Sequence, residues 1–273
     1  MNDTQADKAK RFLELHRRGD PLLMPNAWDL GSAALLVSLG FQALATTSSG
    51  HAATLGRPDG AVSRDEAIAH AAALAGGTDA PVSADLENAF ADEPAGVAET
   101  IALAVQAGLA GGSVEDYSRD GDEIYEMGLA RERVAAAAEA AHAGPVRLVL
   151  TARAENFIRG KPDLADTIAR LAAYQEAAAD VLYAPGLTSP DDIRQVIEAV
   201  DAPVNVLAVR GAPSVAELAE LGVARISVGG AFAFAAFGAL LEAAEELRDQ
   251  GTYGYLARAA AGSKALRAAF SRP

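Results

Sequence analysis

Short apolar runs alternate with longer, alanine-rich runs along nearly the whole chain, and this alternation restricts the fold more than any other feature of the sequence. Short apolar runs are typical of strands buried on both faces of a parallel sheet, and alanine-rich runs are typical of helices that pack closely on such a sheet. Eight strands that are each followed by a helix predict an α/β fold, a (β/α)8 barrel of the TIM type, rather than an open doubly wound sheet. The predicted strands cover residues 22–25, 42–45, 82–85, 112–115, 148–152, 181–184, 204–207 and 225–228, and the predicted helices cover residues 30–39, 64–75, 95–107, 129–143, 164–179, 190–199, 215–221 and 231–248.

Additional helices are expected at both ends of the barrel. Residues 5–18 have the composition of a leading helix, and residues 251–273 that of one or two further helices packed outside the barrel. The chain of 273 residues has the length of one barrel and no linker divides it, so residues 1–273 are interpreted as a single domain. The capping-box pattern marks two helix starts, at Ser63 with Glu66 and at Ser214 with Glu217.

Composition and charge exclude several classes of partner. The net charge of −14 argues against nucleic acid and against an anionic membrane, because either would need a basic face that no segment supplies. A small-molecule partner is therefore expected. The chain has no cysteine, which excludes disulfides, thiolate metal sites and a cysteine nucleophile.

Neither targeting nor membrane insertion is indicated. Residues 1–7 lack the basic and apolar regions of a signal peptide, so a cytoplasmic protein is expected. The apolar stretch at residues 226–241 is shorter than the roughly 20 apolar residues that a spanning helix needs, and it continues into several glutamates.

Charged residues follow three of the predicted strands at the point where each strand ends. Asp85 and Glu87 stand two positions apart at one strand end, and side chains two apart on a strand point to the same side. Glu115 follows a second strand, and Arg153 a third. Because the C-terminal ends of parallel barrel strands form one face, these carboxylates would gather around a hard divalent cation, with the arginine available to an anionic substrate.

Four short motifs resemble those of a known family. Residues 83–92, Ser-Ala-Asp-Leu-Glu-Asn-Ala-Phe-Ala-Asp, resemble the Asp-x-Asp-x-Gly-Tyr-Gly-Asp signature of the isocitrate lyase/phosphoenolpyruvate mutase superfamily. Val-Glu-Asp at 114–116 is similar to its Ile/Leu-Glu-Asp, Ala-Arg-Ala-Glu at 152–155 to its Ala-Arg-x-Glu/Asp, and Leu-Gly-Arg-Pro-Asp at 55–59 to its Leu-Gly-x-Pro-Asp. The motifs occur in the family's order and spacing, and the resemblance extends over about residues 21–241.

The resemblance implies a barrel enzyme that binds Mg²⁺, or Mn²⁺, and acts on a small α-keto or 2-hydroxy di- or tricarboxylic acid through a metal-bound pyruvate enolate. Asp85 is expected to be a direct metal ligand, and Glu87 and Glu115 to bind directly or through water. Asp85→Asn is expected to abolish binding and turnover together, and Arg153→Lys chiefly to weaken substrate affinity, with little change in stability in either case. The predicted catalytic residues are Asp59, Glu115 and Arg153, and the predicted substrate-binding residues are Trp28, Thr47, Ser48, Ser49 and Arg153; His51 follows this loop as a further candidate donor.

Departures from the family's motifs reduce the number of reactions that this chain is expected to catalyse. The isocitrate and methylisocitrate lyases carry a cysteine shortly after Glu-Asp, whereas residues 117–123 here read Tyr-Ser-Arg-Asp-Gly-Asp-Glu, so those two activities are not expected in their usual form. The phosphonate-processing branch has a lysine directly after Glu-Asp, where Tyr117 stands, and the three acids of this loop would repel a phosphonate unless Arg119 reached inward. Glu87 replaces the second Asp of the signature, and no glycine stands at its Gly-Tyr-Gly.

Several reactions remain after these departures. Decarboxylation of oxaloacetate or a related β-keto acid needs mainly a metal electron sink, whereas cleavage of a malate-type acid would also need Glu123 or Tyr117 as a base. A barrel that binds an α-keto acid without turnover stays open as the alternative. A Schiff-base aldolase is excluded because no lysine follows a predicted strand, the lysines being Lys8, Lys10, Lys161 and Lys264.

The eighth helix indicates an oligomer. Residues 231–241 are apolar around the whole helix, so one barrel cannot bury all of them. A second subunit would cover the remainder. The resemblance adds that this helix is exchanged between the subunits of a homodimer, or of a tetramer made of two such dimers.

Overall fold

The computed structural model describes residues 3–271 of the protein. Within that range, nine parallel strands form one sheet whose order runs around a barrel. The barrel closes through a first strand that is split at Pro25 into β1 (Leu22–Met24), which pairs with the last strand, and β2 (Asn26–Ala27), which pairs with the next strand in sequence. Proline has no N–H to donate to a sheet, which explains the break. The other strands are β3 (Leu44–Thr46), β4 (Val82–Asp85), β5 (Gly111–Glu115), β6 (Tyr117–Ser118), β7 (Glu123–Ile124), β8 (Val149–Arg153), β9 (Val181–Tyr183), β10 (Val204–Leu207) and β11 (Arg225–Ser227).

The helices follow the predicted alternation. All eight helices that were predicted to follow the strands are present, and the (β/α)8 barrel of the TIM type is confirmed. Both predicted capping boxes are formed, because in each the serine hydroxyl and the glutamate carboxylate satisfy one another's backbone N–H. The helices are α1 (Gln5–Glu14), α2 (Leu30–Ser38), α3 (Ser48–Thr54), α4 (Arg64–Gly76), α5 (Pro94–Gln106), α6 (Met127–His142), α7 (Leu164–Glu176), α8 (Pro190–Ala199), α9 (Val215–Glu220), α10 (Ala231–Glu245) and α11 (Leu256–Phe270).

Three local features differ from the sequence-based expectation. The leading helix α1 ends at Glu14, four residues before the predicted end. The short helix α3 begins inside the stretch that was expected to be a polar loop. Strands β6 and β7 form an antiparallel hairpin apart from the barrel sheet, directly after β5. The hairpin therefore starts at the C-terminal face of the barrel, where the predicted site lies.

Helix α1 closes the N-terminal end of the barrel. Phe12 of α1 is fully buried against Gly111 of β5. A Cβ atom at Gly111 would stand 2.6 Å from a ring carbon of Phe12, closer than side-chain carbons approach one another. Glycine at this position therefore allows the helix to pack against the barrel.

His16, which follows α1, contacts Arg225 inside the barrel. Its Nδ1 is 2.8 Å from the carbonyl oxygen of Phe12, and its Nε2 is 3.2 Å from Arg225 Nη1. A carbonyl oxygen only accepts and a guanidinium only donates, so the neutral ring carries its proton on Nδ1. Burial, with the positive charge of Arg225 adding to it, lowers the pKa of His16 to about 3.

We expect His16 to destabilise the protein in acid. The pKa of His16 is about 6.5 in the unfolded chain and about 3 in the folded protein, so between these values the unfolded chain binds the proton and stability falls as the pH is lowered from 6.5. One such group contributes a slope of about 1.4 kcal/mol per pH unit. Urea unfolding should show this slope reduced by about that amount in His16→Gln, whose amide can still accept from Arg225. Equal slopes for the two proteins would contradict this assignment.

Helix α10 exposes much of its apolar surface. Ala233 is its only buried residue, whereas Phe234 is 52% and Leu240 is 63% exposed. Helix α11, which follows, packs against α2. Within residues 3–271, no helix is both long enough and apolar enough to cross a membrane.

Candidate active site

A cavity of about 220 Å³ opens at the C-terminal ends of the barrel strands, the face at which active sites of such barrels form. Seven of the nine predicted site residues line this cavity: Thr47, Ser48, Ser49, Asp59, Asp85, Glu115 and Arg153. Further polar residues that line it include Asn26, Arg119, Glu155, Arg159, Tyr183, Asn205, Arg225 and Ser227.

Arg153, at the end of β8, lies among three carboxylates, with 12% of its side chain exposed. Its Nη1 is 3.2 Å from Asp85 Oδ1 and 2.9 Å from Glu115 Oε1. Its Nε donates to Glu155 Oε1 at 2.9 Å. The sheet register brings about the central contact, because Glu115 and Arg153 are paired residues of β5 and β8. Burial opposes the charged form of Arg153, but the carboxylates, Glu115 foremost, raise its pKa well above the usual value.

Arg159 extends this cluster. Its Nη2 is 3.3 Å from Glu115 Oε2, and its Nε is 3.3 Å from Glu155 Oε2. Its guanidinium lies 3.7 Å from the ring centroid of Tyr117, a cation–π contact that fixes the start of the hairpin. Sequence reasoning missed Arg159, although its position four residues after Glu155 in a helical turn was an available signal.

Glu87, which follows β4, is buried behind Arg119. Arg119 lies in the hairpin, between β6 and β7. Arg119 Nε is 2.6 Å from Glu87 Oε2, and Arg119 Nη2 is 3.5 Å from Asp59 Oδ2. Arg119 lines the cavity, whereas the three acids of the same loop are exposed. The hairpin thus brings a cation to the cavity and leaves its carboxylates outside, which is the case that the sequence analysis excepted, so the loop charge gives no reason for repulsion of a phosphonate.

Two carboxyl groups at the site resist ionisation. Burial raises the pKa of Glu87 to about 8; Arg119 opposes this shift, and neighbouring acids, Asp85 foremost, add to it. Burial likewise raises the pKa of Glu115 to about 8, with Arg153 opposing and neighbouring acids adding. A nearby divalent cation would favour the ionised form of both groups.

The carboxylates fit a hard cation that is held mainly through water. In the part of the chain that the structure describes, no three acidic or histidine side chains are close enough to enclose an ion by themselves. A cage of Asp85, Glu87 and Glu115 as three direct ligands therefore does not fit. Mg²⁺, however, usually keeps several waters and takes one or two carboxylates. Asp85 and Glu115 line the cavity, so Asp85 suits a direct ligand and Glu115 suits contact through water, whereas Glu87 lies behind Arg119.

The predicted substrate loop contacts the predicted metal ligand. Thr47 is the N-cap of α3, and its Oγ1 accepts from the Gly50 N–H at 3.2 Å. The Ser48 N–H donates to Asp85 Oδ2 at 3.1 Å. A Cβ atom at Gly50 would lie 2.6 Å from Thr47 Cγ2 and 3.1 Å from Ala233 Cβ, so glycine is needed where α3 packs against the start of α10.

Several other candidates from the sequence lie away from the cavity. Trp28 is not one of the described lining residues, and its carbonyl oxygen is 3.0 Å from His70 Nε2. The His51 ring stacks on His70 with centroids 3.7 Å apart, because α3 carries His51 away from Ser48 and Ser49. The Tyr117 hydroxyl donates within its own hairpin, and Glu123 is exposed, so neither faces the cavity as a base.

The floor of the cavity contains polar residues that sequence reasoning missed. Tyr183, Asn205 and Arg225 lie on β9, β10 and β11. Arg225 Nε donates to Asn205 Oδ1 at 2.9 Å, and its Nη2 donates to Thr151 Oγ1 at 3.1 Å. Polar residues at alternate positions of an apolar strand, such as Arg225 and Ser227, were the available signal, because such positions point to one side of the sheet.

The motifs and the fold both match known proteins. The family model described as phosphoenolpyruvate phosphomutase matches residues 12–248. A solved structure from Burkholderia cenocepacia J2315, provisionally named a lyase/mutase, has 51% sequence identity and a TM-score of 0.94, and the match covers 99% of each chain.

More distant relatives have named activities. The 2-methylisocitrate lyase of Halalkalibacterium halodurans is 29% identical over 205 residues, which are 74% of this chain and 67% of that protein. The structure of 2,3-dimethylmalate lyase has 29% identity and a TM-score of 0.81, and that of oxaloacetate acetylhydrolase with its product oxalate has 25% identity and a TM-score of 0.83; each match covers 92% of this chain and 90% of the other. The resemblance seen in the motifs is confirmed, and the chain belongs to the phosphoenolpyruvate phosphomutase family of the PEP mutase/isocitrate lyase superfamily, which contains lyases and mutases.

Proposed function

We propose that the protein is a Mg²⁺-assisted carbon–carbon lyase that acts on a small 2-hydroxy or α-keto di- or tricarboxylic acid, such as a substituted malate or oxaloacetate. The cluster of Asp85, Glu115 and Arg153 at one small cavity is the observation that supports this proposal most directly. It places carboxylates for a hard cation beside a cation for substrate carboxylates. Relatives named 2-methylisocitrate lyase and 2,3-dimethylmalate lyase are consistent with this class of substrate.

The charges that line the cavity support a substrate with at least two carboxylates. Four acids and four arginines line it, so their formal charges cancel. A bound divalent cation would add two positive charges, which a dicarboxylate would neutralise. The acids are Asp59, Asp85, Glu115 and Glu155, and the arginines are Arg119, Arg153, Arg159 and Arg225.

The residues of the cavity would have separate roles in binding the ion and the substrate. When bound, Mg²⁺, or Mn²⁺ in its place, would stabilise negative charge on the substrate oxygens as the bond at the β-carbon breaks. Asp85 would hold the ion, and Arg119 and Arg159 would pair with substrate carboxylates beside Arg153. The hydroxyls of residues 47–49 would donate hydrogen bonds to the same substrate oxygens.

A product-release assay tests this function. Purified protein with Mg²⁺ or Mn²⁺ should release pyruvate from at least one of 2,3-dimethylmalate, 2-methylisocitrate and oxaloacetate, and excess EDTA should abolish release. Enzyme-free reactions with the same metal are the control for oxaloacetate, and Asp201→Asn, which changes an exposed acid outside the cavity, should keep full activity. Calorimetric binding of these acids without any release would favour the non-catalytic alternative over a lyase.

Phosphonopyruvate belongs in the same assay. We expect it to react more slowly than the best carboxylic acid, because Tyr117 stacks on Arg159 at the position where the phosphonate-processing branch has a lysine. The inward position of Arg119 removes the second, charge-based reason for this expectation. Pyruvate, phosphate and phosphoenolpyruvate should all be measured, and faster turnover of phosphonopyruvate than of every carboxylic acid would show the prediction to be wrong.

We also propose that the exposed face of α10 packs against a second copy of this chain. The helix begins at the cavity, where Gly229 and Gly230 are lining residues. A Cβ atom at Gly230 would lie 2.6 Å from Ser49 Oγ, so the start of α10 is packed against the substrate loop. Its apolar continuation would be buried by an exchange of this helix between subunits.

Light scattering at micromolar concentration should therefore give the mass of a dimer or a tetramer. Leu240→Glu places a charge on the exposed face of α10 and should shift the protein towards the monomer, because a lone carboxylate is costly to bury. Leu39→Glu is the matched control, since Leu39 is similarly exposed but caps the C-terminal end of α2 and is not part of α10. A monomeric wild-type protein would contradict this assembly.

A further inference from the structure

The backbone next to Glu87 is strained. Glu87, Ala89 and Phe90 have φ angles of 53°, 61° and 55°, in the left-handed region that favours glycine. Ala89 is also fully buried, so it cannot relax toward solvent. Non-glycine residues keep such conformations only where the surrounding structure holds them. The stretch from Glu87 to Asp92 therefore needs an identifiable restraint.

Arg133 of α6 provides contacts of the required kind. Its side chain is 1% exposed, and its guanidinium donates to the carbonyl oxygens of Asn88 at 2.7 Å and of Ala91 and Asp92. It also lies 4.1 Å from the ring centroid of Tyr125. One buried arginine thus binds three carbonyl groups of the strained stretch, and a planar fork of five N–H donors suits that task.

The same stretch is hydrogen-bonded to Glu115, a second predicted metal ligand. The Glu115 N–H donates to the Glu87 carbonyl oxygen at 2.8 Å, and Thr100 Oγ1 donates to the Ala89 carbonyl oxygen at 2.7 Å. A change in the backbone at Asn88 would therefore alter the position of Glu87 relative to Glu115.

We propose that Arg133 is a positioning residue for the metal site. It touches neither ion nor substrate, but it holds the stretch that contains the left-handed residues Glu87, Ala89 and Phe90, and thereby sets where the Glu87 carboxylate lies behind Arg119, a lining residue of the cavity. This role rests on the proposed metal site. The guanidinium and the strained backbone stabilise each other. A buried guanidinium without its acceptors raises the free energy of the folded state, and so does the strained backbone without its donor.

Hydrogen exchange of the metal-free protein is the first test. Arg133→Met keeps an aliphatic side chain but removes every donor, and Arg133→Lys keeps the charge with fewer donors. Amides of residues 86–92 should exchange at least about tenfold faster in Arg133→Met than in the wild type, with a smaller change in Arg133→Lys. Arg131→Met, an exposed arginine of the same helix, is the matched control and should change nothing.

Magnesium affinity is the second readout. Calorimetric titration should show binding weakened about 10- to 100-fold in Arg133→Met, the range expected when a partner behind a ligand is lost. Adding Ala89→Gly to Arg133→Met should restore affinity to within about fivefold of the wild type, because glycine adopts a left-handed conformation without strain. If Arg133 served only the general stability of the fold, a change at residue 89 would not restore the affinity for Mg²⁺.

Distinct results separate this role from the proposed function. Unchanged exchange of residues 86–92 together with unchanged Mg²⁺ affinity in Arg133→Met would overturn the role of Arg133, and so would a double variant that regains nothing. If Arg133→Met does not fold, Arg133→Lys with and without Ala89→Gly decides the question by the same readouts. A wild-type protein that binds no Mg²⁺ would overturn the proposed function, while exchange in the metal-free protein would still decide whether Arg133 holds this backbone.

Discussion

Asp85→Asn is expected to abolish Mg²⁺-dependent substrate binding and turnover together. Asp85 ends β4, where its Oδ2 accepts from the Ser48 N–H and its Oδ1 lies 3.2 Å from Arg153. The amide keeps the shape of the side chain but removes the charge that a hard cation requires. The loss of Mg²⁺ affinity should exceed about 100-fold, the upper end of what removal of a partner behind a ligand costs.

Calorimetry with Mg²⁺ and pyruvate release measure the two effects of Asp85→Asn side by side. Stability in urea should change little, because the substitution relieves repulsion between Asp85 and the acids around it while keeping one acceptor oxygen. Asp201→Asn, an exposed acid outside the cavity, is the control for loss of charge. Wild-type binding of Mg²⁺ and keto acid by Asp85→Asn would place the ion elsewhere and overturn the assignment of this motif.

Arg153→Met is expected to destabilise the protein strongly as well as to prevent substrate binding. Its removal leaves the carboxylates of Asp85, Glu115 and Glu155 close together without their common counter-ion. Breaking a buried ion pair in this way costs on the order of 3–5 kcal/mol. The sequence-based expectation of little change in stability concerns Arg153→Lys and does not extend to Arg153→Met, because the guanidinium is already engaged by the protein and is not free for the substrate alone.

Arg153→Lys separates the two roles of this residue. A lysine keeps the charge but not the fork that reaches three carboxylates, so it should recover much of the stability and little of the substrate affinity. Urea unfolding and calorimetric titration of a substrate acid measure these effects. The stability deficit of Arg153→Met should shrink as the pH is lowered, because the unpaired carboxyls then bind protons. Arg194→Met, at an exposed ion pair on α8, is the control, and equal stabilities of the Arg153→Met and Arg194→Met variants would contradict the role assigned to Arg153.

The architecture and the position of the site follow from local patterns in the sequence. The alternation of apolar and alanine-rich runs predicts the barrel, and the capping boxes at Ser63 and Ser214 start their helices as expected. The convergence of Asp85, Glu115 and Arg153 was predictable for the same reason: neighbouring parallel strands end on one face, so residues that end those strands must meet. Each of these conclusions depends on residues a few positions apart in one strand or helix, where spacing alone sets direction.

The partners of the charged side chains were decided by the tertiary structure. From the sequence, Arg153 and Trp28 were expected to bind substrate, and the loop at residues 117–123 was expected to present acids to it. In the folded protein, Arg153 bridges three carboxylates, Arg119 turns inward and Trp28 lies off the cavity. A long side chain can reach any of several partners, and which one it meets depends on how distant segments pack, which no local spacing specifies.

The strained stretch at residues 87–92 also shows which features local sequence determines and which depend on tertiary structure. The sequence determined that no glycine follows Glu87, but only the fold shows that Ala89 and Phe90 are left-handed there and that Arg133, more than forty positions along the chain from Asn88, binds the carbonyl groups. The local sequence sets which backbone conformations are low in free energy, and tertiary contacts decide where a conformation of high free energy is held. The barrel was therefore predictable from periodicity, whereas the ion pairs and the strained backbone of the site depend on contacts between segments that are remote in sequence.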